Sequence, residues 1–261
     1  MKKAWQVTLL LIAFSGFAAA APLCSEVATT AQSFQALGRT GCQFGDKIFY
    51  NFTYTYTLQD ANGNSYAGDA NNPNVTAADV SVAFSDLNGD PYEPVVSFTS
   101  SPSWQVFGGV AGDIRINYDV LAPSPHNAYE ATLAANGSLT NVDPANQFAP
   151  YISIAESLAV NGQAGGVNLG LELDPPATTT PTPFATSRSD SQSFSDSSIL
   201  AISKDVFLSS GSGTNEAILT RIDQGLYEVG AAPEPLSVAL LGGGLVLLGL
   251  VGRSKGKGRQ Q

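Results

Sequence analysis

Residues 48–58 alternate in a way that one kind of backbone can use. Phe52, Tyr54 and Tyr56 fall on one side, and Thr53, Thr55 and Thr57 on the other. Successive side chains of a strand point to opposite faces, so a two-residue period buries the aromatics and leaves the threonines in water. A helix would scatter the same residues around its circumference. The spacing therefore predicts a strand in a sheet with one buried face, and β-branched and aromatic residues suit that surface.

Segments of the same kind recur. Residues 80–85, 95–99, 114–121, 129–134, 151–160, 167–173, 199–208 and 217–222 read as strands, and Asn62-Gly63 and Asn88-Gly89 carry hairpin chemistry. Many short strands broken by Gly, Pro and Asn predict an all-β domain, a β-sandwich, with a jelly roll among its forms. Residues 175–198 are rich in Thr, Ser and Pro. They predict a long exposed loop, or a loop carrying one edge strand near Phe194.

Two apolar segments flank this domain. Lys2 and Lys3, the apolar residues 7–17 and Ala18-Ala19-Ala20 have the three parts of a secretory signal peptide, cut near Ala20 or Ala21. A lipoprotein signal ending at Cys24 is disfavoured, because Leu23 stands where a small residue is needed. At the other end, residues 236–251 are apolar or small except for Ser237, and Arg253, Lys255, Lys257 and Arg259 follow. As a helix that run rises about 24 Å against a hydrocarbon core of roughly 30 Å, and its flanks can lengthen it. The basic cluster would stay in the cytoplasm, leaving the domain outside. Pro233 and Pro235 disfavour helix and hold the peptide around Glu234 extended above the membrane. The chain thus divides into a signal peptide (1–20), an exported β-sandwich (21–230) and a C-terminal segment with a single transmembrane helix (231–261).

Ala232-Pro233-Glu234-Pro235, the short apolar span and the basic end resemble the PEP-CTERM sorting signal of Gram-negative bacteria. That resemblance implies recognition of Pro233, Glu234 and Pro235 by exosortase, a membrane transpeptidase-like enzyme. It implies an intermediate anchored in the inner membrane and a product at the cell surface or in the extracellular polysaccharide matrix. The family often has Val where this chain has Ala232, and a compact Arg cluster where Gly256 and Gly258 here space the charges. Cys24, Leu37-Gly38, Gly41-Cys42, Gly45-Asp46-Lys47, Phe49 and Asn51-Phe52 also resemble the start of the body in a subgroup of that family, which names no activity. A plain anchor with an incidental Pro-Glu-Pro is the other explanation of the tail.

Charge and cysteines narrow the partners. Of the 12 basic residues two precede Ala21 and four follow Gly252, leaving 6 against 22 acidic residues, a balance of −16. Such a surface repels nucleic acid and anionic lipid and suits neutral-glycan partners or simple solvation. Cys24 and Cys42 are the two cysteines, and an exported compartment permits a disulfide with only one intramolecular pairing. Between them residues 25–37 predict a short helix, capped by Ser25 and ended by Gly38, with Val27, Ala31 and Phe34 on one face.

No chemistry concentrates anywhere. Asp86-x-Asn88-x-Asp90 and Asp60-x-Asn62-x-Asn64 resemble the first half of a calcium loop but lack its Gly and its bidentate Glu, and read better as turns. His126 is the single histidine, no Gly-x-Ser-x-Gly elbow occurs, and two thiols with one distant histidine make no metal site. Trp104 reads as core. The expectation is a non-enzymatic structural or interaction protein of the extracellular matrix without metal or cofactor. A carbohydrate-binding module, needing exposed aromatics, is the alternative. A hydrolase would need two converging carboxylates, and an ice-binding face a flat array of threonines such as Thr53, Thr55 and Thr57.

Overall fold

A computed structural model describes residues 21–87, 89–123, 127–140, 149–174, 183–211 and 213–228. The sorting residues Pro233, Glu234 and Pro235, the basic Arg253, Lys255, Lys257 and Arg259, the signal peptide and His126 lie outside them. Among the described residues no helix is long and apolar enough to cross a membrane.

The strands are β1 (Cys42–Phe44), β2 (Lys47–Gln59), β3 (Ser65–Tyr66), β4 (Val80–Leu87), β5 (Asp90–Phe107) and β6 (Ala111–Leu121). Then follow β7 (Ala128–Thr140), β8 (Tyr151–Val160), β9 (Gln163–Leu173), β10 (Pro183–Ser197), β11 (Ile199–Ser209) and β12 (Glu216–Glu228). They form a seven-stranded sheet, ordered β1-β2-β6-β11-β8-β9 with β3 beside β2, and a five-stranded sheet ordered β10-β7-β12-β5-β4. All pairings are antiparallel.

The order is that of a jelly roll. From β5 onward the strands pair outside in: β5 with β12, β6 with β11, β7 with β10, β8 with β9. This is one long hairpin of ribbons, rolled so that its pairs alternate between the two sheets and joined by β12–β7 and β11–β8. β2 and β4 each add a strand to one end of a sheet. Rolling brings the apolar faces of the two sheets together. Ile114, Ile116, Ile154, Leu158, Ile202 and Val206 of one sheet meet Val96, Phe98, Leu133, Leu219 and Ile222 of the other, all buried.

The aromatic strand is as expected, with one added device. Phe52, Tyr54 and Tyr56 are buried and Thr53, Thr55 and Thr57 exposed. Between Tyr50 and Thr53 the register with β6 shifts, and Asn51 takes a φ of 56° while its amide donates to Asp119 Oδ2 at 2.6 Å. The bulge changes the phase of alternation, so both Phe49 and Phe52 face the core.

The N-terminal segment departs from a single helix over 25–37. A 3-10 turn covers Cys24–Glu26, and the helix α1 spans Ala31–Leu37 only. Its cap is Thr30, whose Oγ1 accepts from the Ser33 N–H, not Ser25. Backbone bonding to the sheet competes for the residues before it: the Val82 N–H donates to the Thr29 carbonyl, and Thr30 bridges Ser81. Gly38 ends the helix with a φ of 53°, as expected. Phe34 is 1% exposed and packs on Phe52 and Phe84 at 5.2 and 5.6 Å. α1 thereby covers the gap between the sheets beside β2 and β4.

Cys24 and Cys42 are joined, with Cα atoms 4.8 Å apart. The bond ties the segment leading into α1 to β1. In the chain-entropy model a loop of this length contributes about 3 kcal/mol. Replacing both cysteines with serine is expected to lower unfolding free energy by that amount in urea titrations. Equal midpoints for the two proteins would contradict it.

Several strands outrun their sequence signals, two of them for identifiable reasons. β5 was expected over 95–99 and runs to Phe107, because Pro102 falls inside a bulge: Leu219 pairs with Trp104 but Arg221 with Thr99. A proline is tolerated where the ladder is interrupted. Residues 183–197 form the edge strand β10 along β7, with Pro183 as its first residue; of the two expectations for this stretch, the edge strand near Phe194 is the one met, and it is longer than expected. Its Ser-rich sequence has no apolar alternation, so the ladder offered by β7 decides its conformation.

Candidate functional site

The outer face of the larger sheet gathers aromatic and charged side chains in register. Across β2, β6, β11 and β8 one row runs Thr57, Asp113, Phe207, Ser153, and the next Thr55, Arg115, Asp205, Ala155. Tyr151 pairs with Ser209, one step diagonal from Phe207. Strand alternation places all of these opposite the core-facing Ile114, Val206 and Ile152.

Tyr151 and Phe207 are 39% and 37% exposed, and their ring centroids lie 5.7 Å apart. Tyr92 is the other exposed aromatic among the large exposed hydrophobics. A neighbouring ring shields each of the pair and leaves a broad apolar surface. Beside Phe207 a recess of about 70 Å³ is lined by Thr57, Gln59, Ala111, Gly112 and Asp113. On its inward side a Cβ at Gly112 would come within 2.8 Å of the buried Tyr56 ring.

Charge converges next to the rings. Arg115 lies 3.4 Å from Asp113 and 3.9 Å from Asp205. Partial burial raises the Asp113 pKa, and a hydrogen bond with Asp205 and its charge add to the rise, against the Arg115 cation. Two carboxylates and a guanidinium next to an apolar patch can accept from and donate to a polyol while its carbon face lies on the rings. The carboxylates sit on an open sheet face, with a recess too small to enclose a sugar ring.

A second concavity of about 520 Å³ crosses the outer face of the five-stranded sheet, lined by Glu130, Thr132, Ala134, Ser189, Asp190, Ser191 and Tyr227. Gly225 keeps it open, because a Cβ would stand 2.4 Å from Thr132 Oγ1. It offers hydroxyls and acids and a single aromatic ring.

Other expected residues resolve plainly. Trp104 is fully buried and donates from Nε1 to the Tyr54 hydroxyl at 2.8 Å. The Asp60 carboxylate accepts the N–H groups of Asn62 and Asn64, and Asp90 that of Tyr92, so these two acids serve their own turns. The threonines Thr53, Thr55 and Thr57 face Asn117, Arg115 and Asp113 on β6, which interrupts a flat threonine array. Sequence alone did not point to Tyr151, Phe207, Asp113, Arg115 or Asp205. Their isolation in sequence hides a patch that strand pairing assembles, and only the outward position of Phe207 between Val206 and Leu208 was readable.

No family model matches this chain, and no curated protein does. Solved structures resemble it in part. A carbohydrate-binding module of family 61, solved with β-1,4-galactotriose, is 11% identical over 56% of this chain and 81% of that one, with a TM-score of 0.27. The xylan-binding module CBM15 is 10% identical over 69% and 95%, with a TM-score of 0.24. The structure of infectious bursal disease virus Gx strain is 14% identical over 70% of this chain and 54% of that one, at 0.36. What the face can bind follows from its own residues.

Proposed function

We propose that this chain is an exported polysaccharide-binding jelly roll of the cell surface or extracellular matrix. It holds neutral glycan on the Tyr151–Phe207 face and has no catalytic role. The observation that carries the binding is the exposed ring pair with Asp113, Arg115 and Asp205 alongside. Sugar rings have apolar faces and hydroxyl edges, and this surface meets both. The excess of acidic residues disfavours anionic glycans. Delivery follows from the terminal segments: the signal peptide, and the Pro233-Glu234-Pro235 sorting signal that exosortase would process in the inner membrane. The disulfide fits an oxidising compartment.

The test is retention of the purified protein on neutral xylan, galactan and glucan against anionic alginate, followed by calorimetry on the best ligand. Tyr151→Ala with Phe207→Ala is expected to weaken binding at least tenfold, about 1.4 kcal/mol, while the far-UV spectrum is kept. The same mixtures should release no reducing ends. Unchanged affinity in the double variant would move the site elsewhere, with the Tyr227 groove as the next candidate. Retention on none of the neutral polymers would end the glycan reading.

A further inference from the structure

Lys204, Glu156 and Gln224 meet inside the sandwich. The alternation of β11 puts Lys204 on the inner face between Ile202 and Val206, and the register pairs it with Glu156 on β8. Gln224 arrives from β12 in the facing sheet. The three are 0%, 2% and 0% exposed. The Lys204 Nζ contacts both Glu156 Oε2 and Gln224 Oε1, and Gln224 Nε2 donates to the Gly225 carbonyl at 3.2 Å. Ile116 and Ile154 pair with Lys204 and Val206, and the buried Tyr118 hydroxyl and Glu156 Oε1 have no hydrogen-bond partner.

This burial alters the chemistry of the groups. Loss of water pulls the Lys204 pKa down, against the pull of the Glu156 charge. The same burial pushes the Glu156 carboxyl up, against the Lys204 charge. Both directions favour an uncharged amine beside a carboxylic acid over an ion pair. An uncharged lysine in an apolar pocket is a nucleophile, and the amide carbon bearing the contacted Gln224 Oε1 is an electrophile beside it.

We propose that the folded chain joins Lys204 to Gln224 through an isopeptide bond, with Glu156 carrying the protons. The Nζ lone pair attacks Cδ of Gln224 while the Glu156 carboxyl protonates the amide oxygen. A proton from Nζ passes to the Glu156 carboxylate, and Glu156 then protonates the departing Nε2. The oxygen returns its proton to the Glu156 carboxylate as the carbonyl reforms, the Cδ–Nε2 bond breaks and ammonia leaves. One N–C bond replaces another, nothing is oxidised or reduced, and Glu156 ends protonated as it began. Fixed contact among the three groups replaces an encounter in solution. The bond would staple β11 to β12 across the two sheets, beyond and independent of glycan binding, and suits a domain that must resist proteolysis and pulling outside the cell.

Peptide mapping of the purified full chain, unfolded, reduced and digested with trypsin, decides the matter. The expected result is a chain left uncut at Lys204 and a branched peptide joining Lys204 to Gln224. Its mass should fall one ammonia below the sum of its linear parts. Glu156→Gln is expected to restore linear peptides and cleavage after Lys204. Linear peptides ending at Lys204 in the wild type would overturn the bond, whether or not the variant folds. A branched peptide persisting in Glu156→Gln would overturn the role of Glu156.

Discussion

Trp104→Ala is expected to remove about 3–5 kcal/mol of stability, enough to leave much of a marginally stable domain unfolded. Trp104 is the largest fully buried side chain and lies on β5 in the five-stranded sheet. Its indole N–H donates to the Tyr54 hydroxyl on β2, and that hydroxyl donates onward to the Val75 carbonyl at 3.2 Å. Burial raises the Tyr54 pKa, so the hydroxyl stays protonated and serves as acceptor and donor at once. Truncation would open a large cavity between the sheets and take away the donor that the Tyr54 oxygen accepts from. Urea unfolding of the variant checks the figure. Tyr54→Phe separates the two parts, since it removes the hydrogen bonds and keeps the packing, at a cost of about 1–3 kcal/mol for the indole N–H left unpaired. A loss under about 1 kcal/mol for Trp104→Ala would mean that the core collapses around the gap and that the indole is not its central support.

The second large effect concerns location. Glu234→Ala is expected to abolish processing and to leave the full-length chain in the membrane fraction. The substitution keeps the apolar residues 236–251 and the charges of Arg253, Lys255, Lys257 and Arg259, so insertion should persist. What changes is the one carboxylate of the proposed recognition segment Pro233-Glu234-Pro235. Deleting residues 253–261 should act differently, weakening orientation and retention. Size and fractionation of the wild type, Glu234→Ala and the deletion in the native host decide between them. Release of the Glu234 variant at wild-type size would remove Glu234 from the signal. A wild type that itself stays full-length in the membrane would make the tail a plain anchor.

These predictions draw on different depths of the molecule. The alternation of Phe52, Tyr54 and Tyr56 with the threonines could be read directly, because a two-residue period is a property of the local chain. The Cys24–Cys42 bond, the Gly38 helix end and the burial of Trp104 followed from equally local or composition-level reasons. The start of α1 did not, since the ladder around Thr29 and Ser81 claims the residues that Ser25 might have led into a helix. β10 was legible only as an edge strand near Phe194, one of two alternatives, and its full length was not, because a Ser-rich strand shows no apolar pattern and depends on the bonds that β7 offers.

What the sequence by itself determined is the class of fold: periodic segments, turn residues and a disulfide compatible with few architectures. Which strands become neighbours was decided by the tertiary structure alone. Lys204 and Glu156 are far apart in sequence, and each occupies a core-facing position where local rules place apolar residues. Tyr151 and Phe207 became a surface only when β8 and β11 aligned. Alternation says which face a side chain takes, but not what stands across from it. That depends on register between distant strands, which the rolled pairing of the whole chain sets.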